Sequence, residues 1–183
     1  MRWFWIDKFV EFESGQRAVA VKNVTLGEQH VSDYFPGDAV LPASLVIEGL
    51  AQTGGVLVAE ARGFERRVVL AKVSSATFHR DARAGDQLRY TTTIGKIDMA
   101  GAIVSGRAEI DGVKAAEAKL VFAHLGHDID VELFQPVDLL KMLQLWQLFN
   151  VGRQADGSPL SIPDHLRETD HGSEVTTVLR QCR

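Results

Sequence analysis

Residues 42–61 read PASLVIEGLAQTGGVLVAEA, and they carry the strongest indication of the fold. Pro42 suits the first turn of a helix, and Gly63 is typical of the position just after one. The residues between them are apolar around nearly the whole circumference, which predicts a helix from Pro42 to about Ala61 that is buried on most sides. Glu48 is a lone carboxylate in the first half of this helix. A buried carboxylate is costly unless it is paired, hydrogen-bonded or protonated, so Glu48 is the first candidate for a chemical role.

The polar positions of this helix are regularly spaced. Ser44, Glu48 and Gln52 follow one another at intervals of four residues, so they line one face. Two interpretations are open at this point. The stripe faces a substrate channel, or Glu48 is hydrogen-bonded to a neighbouring strand or subunit. The spacing by itself does not choose between them.

Strand-like segments lie on both sides of the helix in the sequence. Their β-branched residues alternate with other residues, and turns that contain glycine separate them. The predicted strands span residues 17–25, 67–78, 86–97, 102–110 and 113–124. Asp111-Gly112 between the last two is a strong hairpin signal. The order of strand, long helix and a meander of four strands predicts an α+β fold, in which one helix is buried against a single antiparallel sheet.

The character of the sequence changes after residue 130. Residues 136–149 show a helical pattern with an apolar stripe broad enough to pack on two surfaces. From residue 150 the chain is polar and contains several glycines and prolines, which is typical of an extended tail with little core of its own. We therefore predict two parts, a domain over residues 1–129 and a C-terminal helix with an extended tail over residues 130–183.

Composition argues against several functional classes. The chain has 183 residues, a net charge of −4 and no block of Lys or Arg, which disfavours a nucleic-acid partner. Cys182 is the only cysteine, so no intrachain disulfide can form. Charged and polar residues interrupt the longest apolar stretch, which makes it a poor membrane span. Metal-ligand spacing is absent, and no cofactor is expected. These features predict a soluble cytoplasmic protein.

Several short motifs follow one another in a recognisable order. They are Lys22-Asn23-Val24-Thr25, Tyr34-Phe35-Pro36-Gly37, Leu41-Pro42, Ile47-Glu48-Gly49-Leu50-Ala51-Gln52 and Ala84-Gly85-Asp86. Together they resemble the 3-hydroxyacyl-[acyl-carrier-protein] dehydratases of bacterial fatty-acid synthesis, over roughly residues 3–125. The resemblance implies a hotdog fold, in which an antiparallel sheet wraps one long central helix. It also implies a lyase of lipid metabolism that eliminates water from 3-hydroxyacyl thioesters.

The resemblance implies roles for particular residues. In that family a His opens a His-Phe-Pro-Gly motif and removes the α-proton, and a Glu on the central helix protonates the leaving hydroxyl. By position the Glu is Glu48, and Tyr34 stands where the family has His. A backbone N–H at the helix start, here that of Ala43, would bind the thioester carbonyl. The substrate-binding set implied by position is completed by Phe35, Gly37, Ser44 and Gln52.

The resemblance also implies partners. The family's active site is shared between two subunits, so the resemblance implies a homodimer. A higher oligomer built from such dimers is compatible with it. The apolar surface that surrounds the predicted helix agrees with burial against a second copy. The implied substrate is a thioester of acyl carrier protein or of CoA.

Tyr34 leaves the chemistry open. A phenol titrates near 10, so only about one Tyr in a thousand is ionised at neutral pH, whereas His is available as a base. His30 and His79 are alternative bases, although each is more often a surface or hydrogen-bonded histidine. Three functions stay under consideration: a dehydratase, a thioesterase in which Glu48 activates water, and an acyl-binding protein without catalysis.

Overall fold

The computed structural model describes residues 4–33, 37–125 and 136–167. Within these residues, seven strands form one sheet and four α-helices accompany it. The strands are β1 Lys8–Glu13, β2 Arg17–Asn23, β3 Arg67–Phe78, β4 Gln87–Ile97, β5 Gly101–Ile110, β6 Val113–Leu125 and β7 Gly152–Arg153. The helices are α1 Gln29–Ser32, α2 Ala43–Glu60, α3 Pro136–Leu145 and α4 Leu148–Val151, and a 3-10 helix spans Asp164–Leu166.

Helix α2 is the long helix predicted from residues 42–61, and it packs on the sheet against β2 to β6. Its Leu50 and Leu57 are fully buried. Gly54 allows close packing, because a Cβ at this position would lie 3.1 Å from the Val104 side chain and 3.3 Å from the Phe122 ring. A long helix wrapped by a mainly antiparallel sheet is the hotdog arrangement, and this prediction is confirmed.

The order of the strands corrects the predicted meander. Along the sheet the strands follow the order β3-β6-β5-β4-β2-β1-β7. Strands β4, β5 and β6 form a meander, whereas β3 pairs with β6 and not with its sequence neighbour β4. The place beside β4 is taken by β2, with Ala20 opposite Tyr90. The reason is long-range pairing across α2, which local spacing does not encode.

The predicted hairpin between β5 and β6 is confirmed. Asp111 and Gly112 have φ angles of 53° and 76°, so both residues of the turn are in the left-handed region. Two such residues match the twist of the strands on either side, with Ile110 opposite Val113.

Strand β1 lacks a counterpart among the predicted strands. Phe9 and Phe12 are its core-facing residues, and each is only 1% exposed. They are three residues apart, because the pairing of β1 with β2 shifts register between Phe9 and Glu11. A bulge of this kind breaks the period of two on which strand prediction depends.

The predicted helix over residues 136–149 is interrupted. Helix α3 ends at Leu145, and Gln147 takes a left-handed conformation with φ of 58° before α4 begins. The carbonyl of Trp146 accepts the N–H of Phe9 in β1 at 2.8 Å. The break turns the chain so that this segment can bond to the sheet.

The prediction of a tail with little core is wrong for the described residues. Leu160 is 6% and Leu166 is 1% exposed, and both belong to the main hydrophobic core. Strand β7 runs parallel to β1, with Phe12 opposite Gly152. The chain after residue 150 is polar on average, yet a few apolar side chains are sufficient to attach it. The domain boundary near residue 130 stays a prediction.

Candidate active site

Glu48 lies on a half-buried stripe of α2. Ser44 on the first turn is exposed, and Glu48 and Gln52 are partly buried. The side-chain amide of Gln52 donates a hydrogen bond from Nε2 to Glu48 Oε1 over 3.0 Å. The predicted sharing of one helix face is therefore a direct contact for two of the three residues. Glu48 Oε2, the other oxygen of this carboxyl group, takes no part in this hydrogen bond.

The Gln52 amide is itself held from the N-terminal segment. The backbone N–H of Trp5 donates to Gln52 Oε1 at 2.9 Å, and Trp5 is 7% exposed. A backbone N–H can only donate, so it fixes the amide with its oxygen toward Trp5 and its NH₂ group toward Glu48. The sequence carries no local signal for this contact, because the two residues are 47 positions apart.

The start of α2 offers backbone donors beside this stripe. Ala43 is the first residue of the helix and is exposed. The first N–H groups of a helix have no carbonyl partner within it, and the helix dipole adds positive potential at this end. Two residues after Ala43, the N–H of Leu45 already donates a hydrogen bond to the Pro42 carbonyl at 2.9 Å. This end of α2 can therefore bind a carbonyl oxygen or an anion.

The segment that precedes α2 is held by contacts with residues 82 and 83. Gly37 is exposed and has a φ of 87°, a left-handed conformation that favours glycine. Asp38 pairs with Arg83, whose hydrogen bond holds the pKa of that carboxyl below its usual value. The N–H of Leu41 bonds the carbonyl of Ala82 at 2.8 Å. Tyr34 and Phe35, two further predicted site residues, lie outside the described residues.

The two alternative histidines occupy different surroundings. His30 Nε2 is 2.7 Å from Glu28 Oε2, and the His30 and Trp5 ring centroids are 4.5 Å apart. The other Glu28 oxygen is 2.6 Å from Nζ of the buried Lys22. His79 is exposed, at 3.4 Å from Glu117. His30 therefore contacts the same Trp5 that supports the Gln52–Glu48 pair, whereas His79 is a surface histidine paired with Glu117.

Tyr90 is a buried polar residue that sequence analysis overlooked. It is fully buried beneath α2, where a Cβ on Gly49 would lie only 2.4 Å from its ring. Burial raises the pKa of Tyr90 far above its ordinary value, so the hydroxyl stays neutral. Gly49, next to Glu48, is thus a close-approach position that seats the helix. An Ala at position 49 would require Tyr90 to move.

Glu60 is a second buried carboxylate, at the other end of α2. It is 8% exposed and accepts hydrogen bonds from the Ser14 hydroxyl at 2.8 Å and the Gly15 N–H at 3.2 Å. Burial raises the pKa of Glu60, and these two bonds partly offset the rise. Glu60 fastens the turn between β1 and β2 to the helix, and it lies three turns from Glu48.

Comparison with known proteins decides the family. Residues 3–119, more than half of the chain, match the FabA-like domain. The chain belongs to the FabA-like family. It is 40% identical over 121 residues to a 3-hydroxyacyl-[acyl-carrier-protein] dehydratase FabZ of Thermomicrobium roseum, covering 66% of this chain and 81% of the relative. A FabZ dehydratase of Clostridium acetobutylicum is 37% identical over 118 residues, covering 64% of this chain and 84% of the relative.

Solved structures of other proteins share the fold at low identity. The smu.793 protein of Streptococcus mutans UA159, bound to acetyl CoA, has a TM-score of 0.57 at 15% identity, covering 69% of this chain and 94% of that one. A hypothetical thioesterase protein of Streptococcus pneumoniae TIGR4 with coenzyme A has a TM-score of 0.54 at 11% identity, covering 65% and 88%. At such identities the likeness concerns the fold alone.

In the described part of the chain, no helix is both long and apolar enough to cross a membrane. The same residues contain no group of three or more His, Cys, Asp or Glu side chains that could hold a metal ion.

Proposed function

We propose that this FabA-like chain acts on 3-hydroxyacyl thioesters of acyl carrier protein and eliminates water from them, with Glu48 as the general acid. The observation that carries the proposal is the Glu48–Gln52 pair, with its 3.0 Å hydrogen bond, on the half-buried stripe of α2. The 40% identity to a dehydratase over 121 residues supports the choice of reaction.

The proposed elimination has three parts. A base removes the proton at C2 of the acyl group, and that electron pair becomes the C2–C3 double bond. The bond from C3 to oxygen breaks, and Glu48 gives its proton to the leaving hydroxyl, which departs as water. Since Gln52 occupies Oε1, we assign the donated proton to Oε2 of Glu48. The N–H of Ala43 would stabilise the negative charge that develops on the thioester oxygen.

Tyr34 sets the expected rate. A neutral phenol can donate a hydrogen bond to a bound carbonyl or hydroxyl, but it is a poor base at neutral pH. We therefore expect slow dehydration in the natural chain, because binding and the acid are provided while the base is not. A well-placed general base contributes about 10²–10⁴-fold.

The decisive experiment replaces Tyr34 and Glu48 in turn. Dehydration of a 3-hydroxyacyl thioester of acyl carrier protein is followed by the absorbance of the conjugated product, and thiol release is followed in parallel. Tyr34→His should raise dehydration by about 10²-fold or more. Tyr34→Phe is the matched control and should change it little. Glu48→Gln should abolish the gain from Tyr34→His.

Two other outcomes would overturn this assignment. If thiol is released in a reaction that depends on Glu48 and no double bond forms, the chain is a thioesterase, in which Glu48 activates water. If neither reaction occurs in any variant while the thioester still binds, the chain is an acyl-binding protein. Fast dehydration by the natural chain, with no gain from Tyr34→His, would show that another base operates, and His30 beside Trp5 would be tested first.

We further propose that the chain works as a homodimer. Two surfaces that a single chain leaves exposed or only partly buried support this assembly. The stripe of α2 that carries Glu48 is only partly buried within one chain, and strand β3 is exposed along its last nine residues. An exposed edge strand with apolar side chains is a template for pairing with another chain. Light scattering at micromolar concentration tests this proposal, and a monomer would contradict it.

A further inference from the structure

The C-terminal segment, residues 136–167, is connected to Glu48 through the N-terminal residues. Its Trp146 is 4% exposed, and its ring packs edge-to-face on Phe4, with centroids 5.4 Å apart. The carbonyl of Trp146 also accepts the N–H of Phe9 at 2.8 Å. Trp146 therefore holds the chain on both sides of Trp5, through the Phe4 ring before it and the Phe9 backbone after it.

Trp5 connects the N-terminal residues to α2 by a hydrogen bond. Its N–H donates to Gln52 Oε1 at 2.9 Å, and Gln52 Nε2 donates to Glu48 Oε1 at 3.0 Å. The Trp5 N–H opposes a turned-over Gln52 amide, which would set an NH₂ donor against it and present an oxygen to the Glu48 carboxyl group. The donor that keeps Glu48 in place would then be lost.

The segment lies outside the region that defines the family. The FabA-like match covers residues 3–119, whereas Trp146 and the rest of the segment follow it. The contact from Trp146 to Phe4 therefore joins a residue beyond the matched region to one within it. Together with the Trp5–Gln52 and Gln52–Glu48 hydrogen bonds, this contact connects the C-terminal segment to the carboxylate of the candidate site.

We propose that Trp146 is a positioning residue for Glu48, acting through the backbone of Trp5 and the side chain of Gln52. This inference rests on the proposed function of Glu48. A small displacement of a catalytic group lowers the chemical rate more than substrate binding. The effect of losing Trp146 should therefore fall on kcat and leave KM nearly unchanged.

The test uses the full-length chain and two kinds of measurement. The first is NMR of the Trp5 backbone amide and the Gln52 side-chain NH₂, with hydrogen exchange of the former. Trp146→Ala should accelerate exchange at Trp5 and shift the Gln52 signals, and Trp146→Phe should restore both. Leu145→Ala is the control, because Leu145 is 63% exposed on the same segment.

The second measurement is steady-state dehydration. Trp146→Ala should lower kcat by about tenfold with KM changed less than about twofold. In a Glu48→Gln background the same substitution should have no further effect, since residues that act through one group are not additive. Phe4→Ala, at an exposed position, removes the same ring contact and serves if Trp146→Ala unfolds the chain.

The outcomes separate the two proposals. Unchanged Trp5 exchange and Gln52 signals in Trp146→Ala and Phe4→Ala would overturn the positioning role, whatever the activity. An equal loss of kcat with and without Glu48 would also overturn it, because Trp146 would then act on stability alone. If the NMR changes appear but Glu48→Gln leaves activity intact, the connection exists and the proposed function of Glu48 fails.

Discussion

The two edges of the sheet differ in how far other residues cover them. At one edge, β1 has its Phe9 and Phe12 buried to 1% exposure beneath the C-terminal segment. At the other edge, β3 leaves Leu70, Val73 and Phe78 exposed by 37%, 39% and 43%. One edge is thus covered by the chain's own residues, and the other is open among the residues that the structure describes.

The difference concerns backbone groups as well as side chains. Phe9 N–H reaches the carbonyl of Trp146 at 2.8 Å, and Ser14 N–H reaches that of Arg153 at 2.9 Å. In the described residues, β3 pairs with β6 alone. An edge strand must be covered, blunted or paired, because its free N–H and C=O groups otherwise recruit another chain. Among the described residues the β3 side is the edge that remains for such pairing, and we propose the second copy there.

The largest expected effect is at the covered edge. Leu143 in α3 is fully buried, so Leu143→Ala removes core packing that holds the C-terminal segment. We expect a loss of about 2–5 kcal/mol in the free energy of unfolding. Leu145→Ala, on the same helix but 63% exposed, should stay within about 0.5 kcal/mol. Urea denaturation measures both, and equal small losses would mean that the cover contributes nothing to stability.

The next effect is at the open edge. Val73→Asp places a charge on each β3 strand of the proposed dimer, and we expect the dissociation constant of the dimer to rise at least about tenfold, or 1.4 kcal/mol. The unfolding of the monomer should change little, since Val73 is 39% exposed. Leu145→Asp near the covered edge is the matched control for an added charge. Sedimentation velocity over a dilution series measures the dissociation of both variants. Equal dissociation of Val73→Asp and Leu145→Asp would contradict the proposed difference between the edges.

The smallest effect depends on pH and concerns the turn between β1 and β2. Burial raises the pKa of Glu60, so the folded chain holds this proton more tightly than the unfolded one. The stability that follows is fully present below about pH 4.5, the ordinary carboxyl value, and is lost as the pH rises through the raised pKa. Glu60→Gln does not titrate, so its stability relative to the natural chain should increase from about pH 4 to pH 7.

A second variant sharpens the same measurement. Ser14→Ala removes a hydrogen bond that lowers the pKa of Glu60, so the loss of stability with rising pH should become larger. Urea midpoints at several pH values report both variants. A constant difference between Glu60→Gln and the natural chain across this range would show that Glu60 does not titrate with folding.

Much of the fold and part of the candidate site could be predicted because their signals are local. The apolar run around Glu48 gave α2, Asp111-Gly112 gave the β5–β6 hairpin, and the spacing of Glu48 and Gln52 gave their shared face. Each signal spans a few residues, and backbone geometry converts such spacing directly into a helix face or a turn. The roles of Tyr34, Ala43 and Glu48 in catalysis stay proposals.

Other features have no local signal. The bulge between Phe9 and Glu11 hides β1, and β3 joins β6 at a distance in sequence that no short pattern reports. The hydrogen bond from Trp5 to Gln52 likewise spans 47 residues. Such pairings depend on which backbone groups and apolar faces remain unsatisfied once the helix and hairpins have formed.

Local sequence patterns were sufficient to predict the long helix, its polar stripe and most strands, because periodicity and turn chemistry act over neighbouring residues. The strand order, the cover of the β1 edge and the support behind Glu48 depend on long-range packing. The C-terminal segment shows the reason most clearly. Its average polarity predicted a tail, but Leu160 and Leu166 have buried places in the main core. Composition averages over a segment, whereas burial is decided one side chain at a time by the surfaces within reach.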